Sequence, residues 1–366
     1  MLTNLVANLF GPLERGQFLL VLLVLSALLS AALIVLLMPV LRRYALARPN
    51  ARSSHKVPTP QGGGMAVIAA ACLPIAAIVL LSTPDFKYAW GGGWHRFMPL
   101  FVIMLAAIGL AVVGAVDDIR PLSPVSRLLL QVIAVAVVVL VSDVRILPEA
   151  VPWSLEQIIL IFGGVWFVNL VNFMDGLDWI TVAEMVPITG FVALLGAGVV
   201  TGWATGAAMP VAIMAAALCG AFLGFAPFNK PVARLFLGDV GSLPIGLLVG
   251  WMLLELAGTG ALAAAILLPL YHLMDATITL LRRLARGEKV WEAHRSHFYQ
   301  KATDNGFSAM AVSAHVFGLN LVLAGLAAMT LVWTSGAVQV AALVAGVVLV
   351  GLVLRRFSQP RPEMSR

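Results

Sequence analysis

Acidic and amide side chains occur where apolar segments of this chain end. Asp117 and Asp118 close one such segment, and Asn169, Asn172 and Asp175 lie at intervals of three residues near the end of another. In a helix, this spacing puts Asn169, Asn172 and Asp175 on one face. A carboxylate at the C-terminal end of a helix is disfavoured by the helix dipole, so these positions predict a compensating positive group or ion.

Each of these groups also has a purely structural interpretation. Asp117 and Asp118 can form a solvated helix stop with Arg120 as a surface partner. The amides can form hydrogen bonds between helices, and Asp178 can cap the helix that follows it. For each group considered alone, both interpretations stay open.

Asp239 begins an apolar segment rather than ending one. The neighbouring Gly238, Gly241 and Ser242 would let an anion approach the positive N-terminus of that helix closely, although Asp239 could equally serve as its N-cap. With the acids above, carboxylates stand at the ends of three separate segments. Such a set suits Mg²⁺, which takes one or two carboxylates and completes its shell with water and substrate phosphates.

A basic segment, EAHRSHFYQKA at residues 292–302, could supply the opposite charge. His294 and His297 are neighbours if the segment is helical, and Arg295 beside them can grip phosphate oxygens. The alternative is an amphipathic interfacial helix with Trp291 and Phe298 at the lipid boundary. Both interpretations place this segment at a membrane surface.

The elements that must position these residues are membrane helices. Hydrophobic residues make up 61% and charged residues 11% of the 366 positions, and the mean hydropathy is +1.00. Soluble domains carry about 25% charged residues, so the composition predicts an all-α polytopic membrane bundle. We expect one membrane domain over residues 1–366, with a core at 17–354 and a cytoplasmic tail at 355–366. The eleven predicted spans are 17–41, 64–82, 97–116, 126–142, 155–173, 179–200, 206–226, 241–257, 260–281, 311–333 and 336–354.

The distribution of basic residues predicts the orientation of the bundle. Of the 23 lysines and arginines, 19 fall in one alternating set of loops and in the tail, which should therefore be cytoplasmic. The N-terminus is then outside. The polar groups described above all fall on the cytoplasmic side, whereas a transporter or lipid flippase should hold ionisable groups near the bilayer midplane, and a non-catalytic scaffold would leave them unexplained. Asp275 and His272 lie inside a predicted span, and we expect Asp275 to face the bundle interior.

Five motifs occur in a fixed order: HKxPTPxxGG at 55–64, VDD at 116–118, NxxNxxDGLD at 169–178, FxGDxGS at 236–242 and a basic HxxH loop at 294–297. Over about residues 20 to 335, this order resembles the polyprenyl-phosphate N-acetylhexosamine-1-phosphate transferases (glycosyltransferase family 4). The resemblance implies a membrane enzyme that moves a HexNAc-1-phosphate from a UDP-sugar to undecaprenyl phosphate and releases UMP. It further implies Mg²⁺ or Mn²⁺ as cofactor, the cytoplasmic face of the bacterial inner membrane as location, and a homodimer. No nucleic acid partner is expected.

The resemblance also assigns residues to the acceptor and to catalysis. Asp117 and Asp118 match paired aspartates near the lipid phosphate, and Lys56 matches a lysine near the same phosphate. His294 and His297 match two histidines of the family's histidine loop. These five residues are therefore the catalytic candidates.

A second set is assigned to the metal and the sugar nucleotide. Asp239 matches the principal metal ligand, with Asp175 as a second candidate. Asn169, Asn172 and Asp175 match residues that line the nucleotide and metal site. The remaining substrate-binding candidates are Gly238, Ser242 and Arg295.

Two positions depart from the pattern of the family. Ser296 stands where many members have a middle histidine, and Trp179 follows Asp178 where glycine is common. The phospho-MurNAc-pentapeptide branch carries three consecutive histidines, so the HRSHFYQ form favours the branch that initiates O-antigen (lipopolysaccharide) or other surface polysaccharides. Which UDP-sugar is used cannot be read from these residues.

Overall fold

The computed structural model describes residues 12–47, 58–81, 98–199, 209–289 and 294–361. Lys56 and Trp291 lie outside these ranges. The described chain is almost entirely helical, and two short strands, β1 (Leu46–Ala47) and β2 (Thr59–Pro60), pair antiparallel beside the first helix. In chain order the helices are α1 (Pro12–Tyr44), α2 (Gly63–Leu81), α3 (Met98–Ile119), α4 (Pro124–Ser142), α5 (Trp153–Met174), α6 (Ile180–Gly196), α7 (Met209–Asn229), α8 (Asp239–Gly258), α9 (Leu262–Leu267), α10 (Leu270–Ala285), α11 (Phe298–Asp304), α12 (Ala309–Val332) and α13 (Gly336–Phe357).

Eight of the described helices are long and apolar enough to cross a membrane: α1, α3, α4, α5, α7, α8, α12 and α13. Helices α2 and α6 are apolar but shorter. The span predicted at 260–281 is divided into α9 and α10, because Pro269 has no N–H to continue a helical ladder and stands as the N-cap of α10. A mainly helical chain with eight candidate membrane spans is therefore confirmed, whereas the count of eleven spans, the orientation and the homodimer stay predictions.

Helices α7 and α8 form the centre of the bundle. In each of them 83% of the apolar window is buried, against 22–33% in the other six long helices. Close helix approach explains part of this burial, because small residues let backbones meet in a membrane protein. A Cβ on Gly220 of α7 would lie 2.0 Å from the Leu23 carbonyl oxygen of α1, and one on Gly64 of α2 would lie 2.2 Å from the Gly241 Cα of α8.

The same close packing brings the ends of three helices together. Helix α3 runs directly against the start of α8, since a Cβ on Gly114 would lie 2.2 Å from the Asp239 carbonyl oxygen. Helix α5 meets α8 at Gly246, where an added Cβ would lie 2.8 Å from the Val168 Cα. The C-terminal ends of α3 and α5 therefore lie beside the N-terminal end of α8.

Candidate active site

A cavity of about 270 Å³ opens where these three helix ends meet. Polar side chains make up much of its wall, in contrast to the apolar bundle around it. Three carboxylate-bearing segments contribute: the end of α3, the residues that follow α5 and the start of α8. The lining residues are Ala47, Gln61, Asp118, Asn172, Asp175, Gly176, Leu177, Asp178, Asn229, Phe236, Leu237, Gly238, Asp239 and Gln300.

Asp118 caps the first turn of α8 from a different helix. Its two carboxylate oxygens accept hydrogen bonds from the backbone N–H groups of Asp239 and Val240, each at 3.2 Å. Gly238, just before α8, has a φ of 77°, and a Cβ there would lie 2.7 Å from Asp118 Oδ2. The glycine-rich turn does let an anion approach the helix N-terminus, as expected from the sequence, but that anion is the protein's own Asp118 carboxylate.

Arg127 supplies the positive charge that the acids at the helix ends require. Its guanidinium on α4 lies 2.9 Å from Asp117 Oδ2 and 3.2 Å from Asp239 Oδ2, and it donates to Asn172 Oδ1 at 3.5 Å. Asp117 also accepts the backbone N–H of Leu122 at 2.6 Å. The sequence suggested Arg120 as the surface partner of these aspartates. The observed partner of Asp117 is Arg127, in the first turn of α4.

Asn172 joins α5 to α8. Its Nδ2 donates to Asp239 Oδ1 at 2.7 Å and to the hydroxyl of Ser242 at 2.8 Å. Ser242 is fully buried, so its hydroxyl orients the amide from within the bundle and is not available at the cavity surface. The pair fixes the direction of the Asp239 carboxylate.

Asp175 follows α5 directly and carries an unusual charge environment. Burial raises the pKa of its carboxyl to about 8, and the nearby charges of Asp239 and Asp118 act in the same direction, against a hydrogen bond from Thr181. This carboxyl therefore keeps its proton near neutral pH unless a positive charge approaches. A divalent cation beside Asp175 and Asp239 would favour the charged form.

Asn169 lies one turn away from this cluster. It donates to Gln131 Oε1 of α4 at 2.6 Å and to the Val165 carbonyl oxygen at 2.8 Å. These contacts match the interhelical interpretation of the amides, and Asn169 is not among the residues that line the cavity. Its role in substrate binding stays a prediction.

Asp178 and Trp179 form the turn that leads into α6. Asp178 accepts the backbone N–H of Ala233 at 2.9 Å through its side chain, so it secures a loop and does not cap α6. Trp179 is the N-cap residue, with a φ of 66° in the region that favours glycine. Asn229 Oδ1 accepts the Trp179 backbone N–H at 2.8 Å, and the Trp179 indole donates to the Ala226 carbonyl oxygen at 2.6 Å. These bonds explain how tryptophan stands where glycine is common.

The basic segment lies beside the cavity and contributes Gln300 to its wall. Arg295 is directed toward its own short helix, donating to Thr303 Oγ1 at 3.1 Å and pairing with Asp304 at 3.0 Å. Phe298 is buried, so the interpretation of α11 as an interfacial helix with Phe298 at the lipid boundary is wrong. Neither Arg295 nor the two histidines is among the residues that line the cavity.

The two histidines of this segment lie close together. Their ring centroids are 4.9 Å apart, and His297 is buried while His294 is only partly so. Burial lowers the pKa of His294 to about 4, and the electrostatic effects of the neighbouring His297 and Arg283 side chains act in the same direction. His294 is therefore neutral at physiological pH in this arrangement.

The structure thus brings together most of the candidates predicted from the sequence. Asp117, Asp118, Asn172, Asp175 and Asp239 form one connected or adjacent group, with Gly238 and Ser242 supporting it. Arg127 and Gln300 were not predicted. Arg127 could have been predicted as a partner of the aspartates, because it lies in the first turn of the helix that follows Asp117 and Asp118.

Comparison with known proteins gives consistent matches. The sequence profile of glycosyl transferase family 4 matches residues 100–257, which contain Asp117, Asp118, Asp175 and Asp239. The chain is 31% identical, over 334 aligned residues, to a phospho-N-acetylmuramoyl-pentapeptide-transferase of Synechococcus sp. (strain JA-3-3Ab), covering 82% of this chain and 89% of the relative. It is 26% identical over 354 residues to a decaprenyl-phosphate N-acetylglucosaminephosphotransferase of Mycobacterium leprae (strain TN), covering 86% and 85%. A phospho-N-acetylmuramoyl-pentapeptide-transferase of Halalkalibacterium halodurans is 30% identical over 257 residues, covering 64% and 73%.

Proposed function

Because the chain belongs to glycosyl transferase family 4, whose members transfer a phospho-sugar to a polyprenyl phosphate, we propose that it transfers a HexNAc-1-phosphate from a UDP-sugar to undecaprenyl phosphate. UMP is the second product. The observation that carries this proposal is the convergence of Asp118, Asp175 and Asp239 from three helix ends at one cavity. Arg127 links Asp239 to Asp117 beside the cavity, and Asn172 also donates to Asp239. The reaction takes place at the cytoplasmic face of the bacterial inner membrane.

The transfer exchanges one phosphorus–oxygen bond for another. An oxygen of the lipid phosphate attacks the β-phosphorus of the UDP-sugar, and the bond from that phosphorus to the bridging oxygen breaks. UMP leaves with the bridging oxygen, and the lipid carries the sugar as a diphosphate. Phosphoryl transfer depends chiefly on positioning and on stabilising charge, and a phosphate monoester is largely ionised near pH 7, so a strong general base is not required.

The contacts of the two adjacent aspartates support separate roles for them. Both carboxylate oxygens of Asp118 accept hydrogen bonds from the N-terminus of α8, which positions Asp239. Asp117 holds Arg127, whose guanidinium also lies 3.2 Å from Asp239 and suits phosphate oxygens. We assign Asp118 to positioning and the Asp117–Arg127 pair to orientation of a phosphate. Lys56, assigned by the resemblance to the acceptor phosphate, lies outside the described residues.

Mg²⁺ is proposed as the cofactor, with Mn²⁺ as a substitute. Asp239 and Asp175 would hold it, and both offer only oxygen atoms, as a hard cation prefers. Within the described ranges no cluster of three or more His, Cys, Asp or Glu residues suits a metal ion, so the diphosphate and water would complete the shell. When bound, the ion would neutralise charge that develops on the diphosphate.

The donor is proposed to be a UDP-N-acetylhexosamine of the kind used for O-antigen or other surface polysaccharides. Ser296, which replaces the middle histidine of the loop, supports this choice. A UDP-MurNAc-pentapeptide donor is the second candidate, because two of the relatives above are named for that substrate. The two donors differ greatly in size beyond the sugar ring, so a direct comparison of rates distinguishes them.

The test is release of UMP by purified protein supplied with undecaprenyl phosphate, Mg²⁺ and a panel of UDP-HexNAc and UDP-MurNAc-pentapeptide donors. We expect turnover with a UDP-HexNAc, and a loss of at least about 100-fold in Asp239→Asn, because loss of one electrostatic contact to the transition state costs this much. Glu149→Gln, the same chemical change at an exposed position in the loop before α5, should keep full activity. Absence of UMP with every donor would favour a transporter or flippase, and an active Asp239→Asn would refute the metal assignment.

A further inference from the structure

Asp275 is a buried carboxylate that the proposed chemistry does not use. It lies on α10, is fully buried, and accepts hydrogen bonds at 3.0–3.3 Å from the groups around it. Two of the donors are the first backbone N–H groups of α11, those of Phe298 and Tyr299. A carboxylate on one helix thus caps the start of another, which anchors the basic segment to α10. The remaining donors are Tyr271 Oη, Thr279 Oγ1 and His297 Nδ1.

The contact with His297 determines how that imidazole is protonated. A carboxylate only accepts hydrogen bonds, so the Nδ1 atom, 3.2 Å from Asp275 Oδ1, must carry the hydrogen. The Nε2 atom of His297 is buried and has no hydrogen-bond partner among the described residues. A buried polar atom without a partner is costly, which indicates that Nε2 serves a group brought in with a substrate or an ordered water.

The same segment is joined to the cavity on its other side. Gln300 lines the cavity and accepts the His297 backbone N–H at 3.3 Å. The Tyr299 ring stacks on His297 with centroids 5.6 Å apart, and its hydroxyl donates to the Phe173 carbonyl oxygen at 3.1 Å. A Cβ on Gly176 of the cavity wall would lie 2.2 Å from that hydroxyl. His297 is therefore held one layer behind the wall that carries Asp175.

A second buried polar cluster fixes α10 itself. His272, one turn before Asp275, has its Nδ1 3.1 Å from a carboxylate oxygen of Glu184 on α6. Asn320 of α12 donates to the same Glu184 and, at 3.1 Å, to the Ala183 carbonyl oxygen. All three side chains are buried. The helix is interrupted at Pro269, so α10 is not held in place by continuity with α9. The contact of His272 with Glu184 on α6 therefore helps to fix the position of α10 and of Asp275.

We propose that Asp275 is a positioning residue for sugar-phosphate transfer, which holds His297 with the hydrogen on Nδ1 and leaves Nε2 to accept a hydrogen bond from a substrate hydroxyl or a water behind the cavity wall. The expected effect of Asp275 on the transfer rate rests on the proposed function. The expected tautomer of His297 does not. Among the described residues, the titratable groups that contact His297 are Asp275 on α10 and, on its own segment, His294 and Tyr299; Tyr271 donates a hydrogen bond to Asp275. Asp275 is the only acidic group among these.

The kinetic test is a double-mutant cycle on the transfer reaction. Asp275→Asn and His297→Gln should each lower kcat/KM by about 10- to 100-fold, as losing an outer partner of a functional histidine does. The double variant should be no slower than His297→Gln, because Asp275 acts through His297. Multiplying effects would overturn the proposal and leave Asp275 a purely structural anchor. Thr279→Val, which removes a donor to Asp275 and leaves the charge in place, serves as control and should stay within about threefold of wild type.

The structural test uses the wild-type protein and needs no turnover. Nitrogen NMR of ¹⁵N-histidine-labelled protein, with His297 assigned by its loss in His297→Gln, should show that the neutral imidazole carries its hydrogen on Nδ1 and not on Nε2. The opposite tautomer would overturn the proposal even if transfer activity is found. If no donor supports UMP release while the expected tautomer is seen, the proposed function fails and the Asp275–His297 assignment stands.

Discussion

At the scale of single residues, Arg127 is the group on which the charge balance of the cavity depends. It bridges carboxylates from the end of α3 and the start of α8, and it is only partly exposed. A planar guanidinium can serve both acids at once, whereas an ammonium on a flexible chain has one point of charge. Arginine at this position therefore sets the separation of Asp117 and Asp239.

Arg127→Lys should accordingly lower kcat/KM of the transfer reaction by about 10- to 100-fold although the charge is retained. The matched control is Arg120→Lys, at an exposed position in the loop between α3 and α4, which should behave as wild type. Equal activity of the two variants would contradict the bridging role of Arg127. Steady-state rates over a range of donor concentrations measure the effect.

His294 gives the protein an acid-sensitive stability. Its pKa is lowered from 6.5 to about 4 in the folded protein, so its contribution to the free energy of unfolding is complete above pH 6.5 and is lost as pH falls toward 4. In detergent, the unfolding temperature of the wild type should fall between pH 7 and pH 5 more than that of His294→Gln, which cannot be protonated. Parallel pH dependences in the two proteins would show that His294 is not responsible.

The sequence predicted which residues carry charge at the helix ends but not how those charges are paired. Asp117, Asp118, Asp175 and Asp239 were identified because the apolar segments make their boundaries visible. The pairing of Asp118 with the backbone of α8, and of Arg127 with Asp239, joins residues more than a hundred positions apart. Such contacts depend on how the helices pack against each other. The spacing of residues within one helix gives no information about that packing. For the same reason Asp275 was placed in the interior without a role.

At the scale of helices, close contacts at glycine determine the packing of the centre of the bundle. Helix α1 lies against α7 at Gly220 and Gly224, where added Cβ atoms would lie 2.0 and 2.2 Å from carbonyl oxygens of α1. Backbone atoms cannot give way as a flexible side chain can. The two helices must separate to admit even one methyl group.

Gly220→Ala should therefore lower the free energy of unfolding by about 1–3 kcal/mol, as overpacking does, and lower the unfolding temperature measured in detergent. The control is Gly318→Ala on α12, where no described atom lies within 4 Å of the added Cβ and helix propensity alone favours alanine. This variant should be at least as stable as wild type. An unfolding temperature for Gly220→Ala that matches Gly318→Ala would mean that α1 and α7 adjust freely.

Hydropathy located the eight long apolar helices because their composition is distinctive over many residues. It placed one span over 260–281, where the structure has α9 and α10 separated at Leu268 and Pro269. An average over a window is insensitive to a single break, and proline within a membrane helix is common enough not to force one. Proline also lies inside α7 and α8 without dividing them.

At the scale of the whole molecule, the predicted orientation can be tested with introduced cysteines. Cys72 and Cys219 are both buried, so the native protein should give little background labelling. Gln359→Cys after α13 and Glu149→Cys before α5 place a thiol at exposed positions on opposite predicted sides. In intact cells, a membrane-impermeant maleimide should modify the Glu149→Cys protein and spare the Gln359→Cys protein. The reverse pattern would invert the orientation and place the cavity outside.

The dependence of the early helices on α8 has a consequence for biogenesis. Gly64 on α2 and Gly114 on α3 present bare backbone that is covered only when Gly241 and Asp239 of α8 pack against them. Helix α8 is synthesised long after α2 and α3, so the glycine faces of these two helices stay unpacked until late in synthesis. A nascent chain halted before α8 leaves them uncovered, which makes that stage of insertion the one most open to capture by a membrane protease or an insertion chaperone.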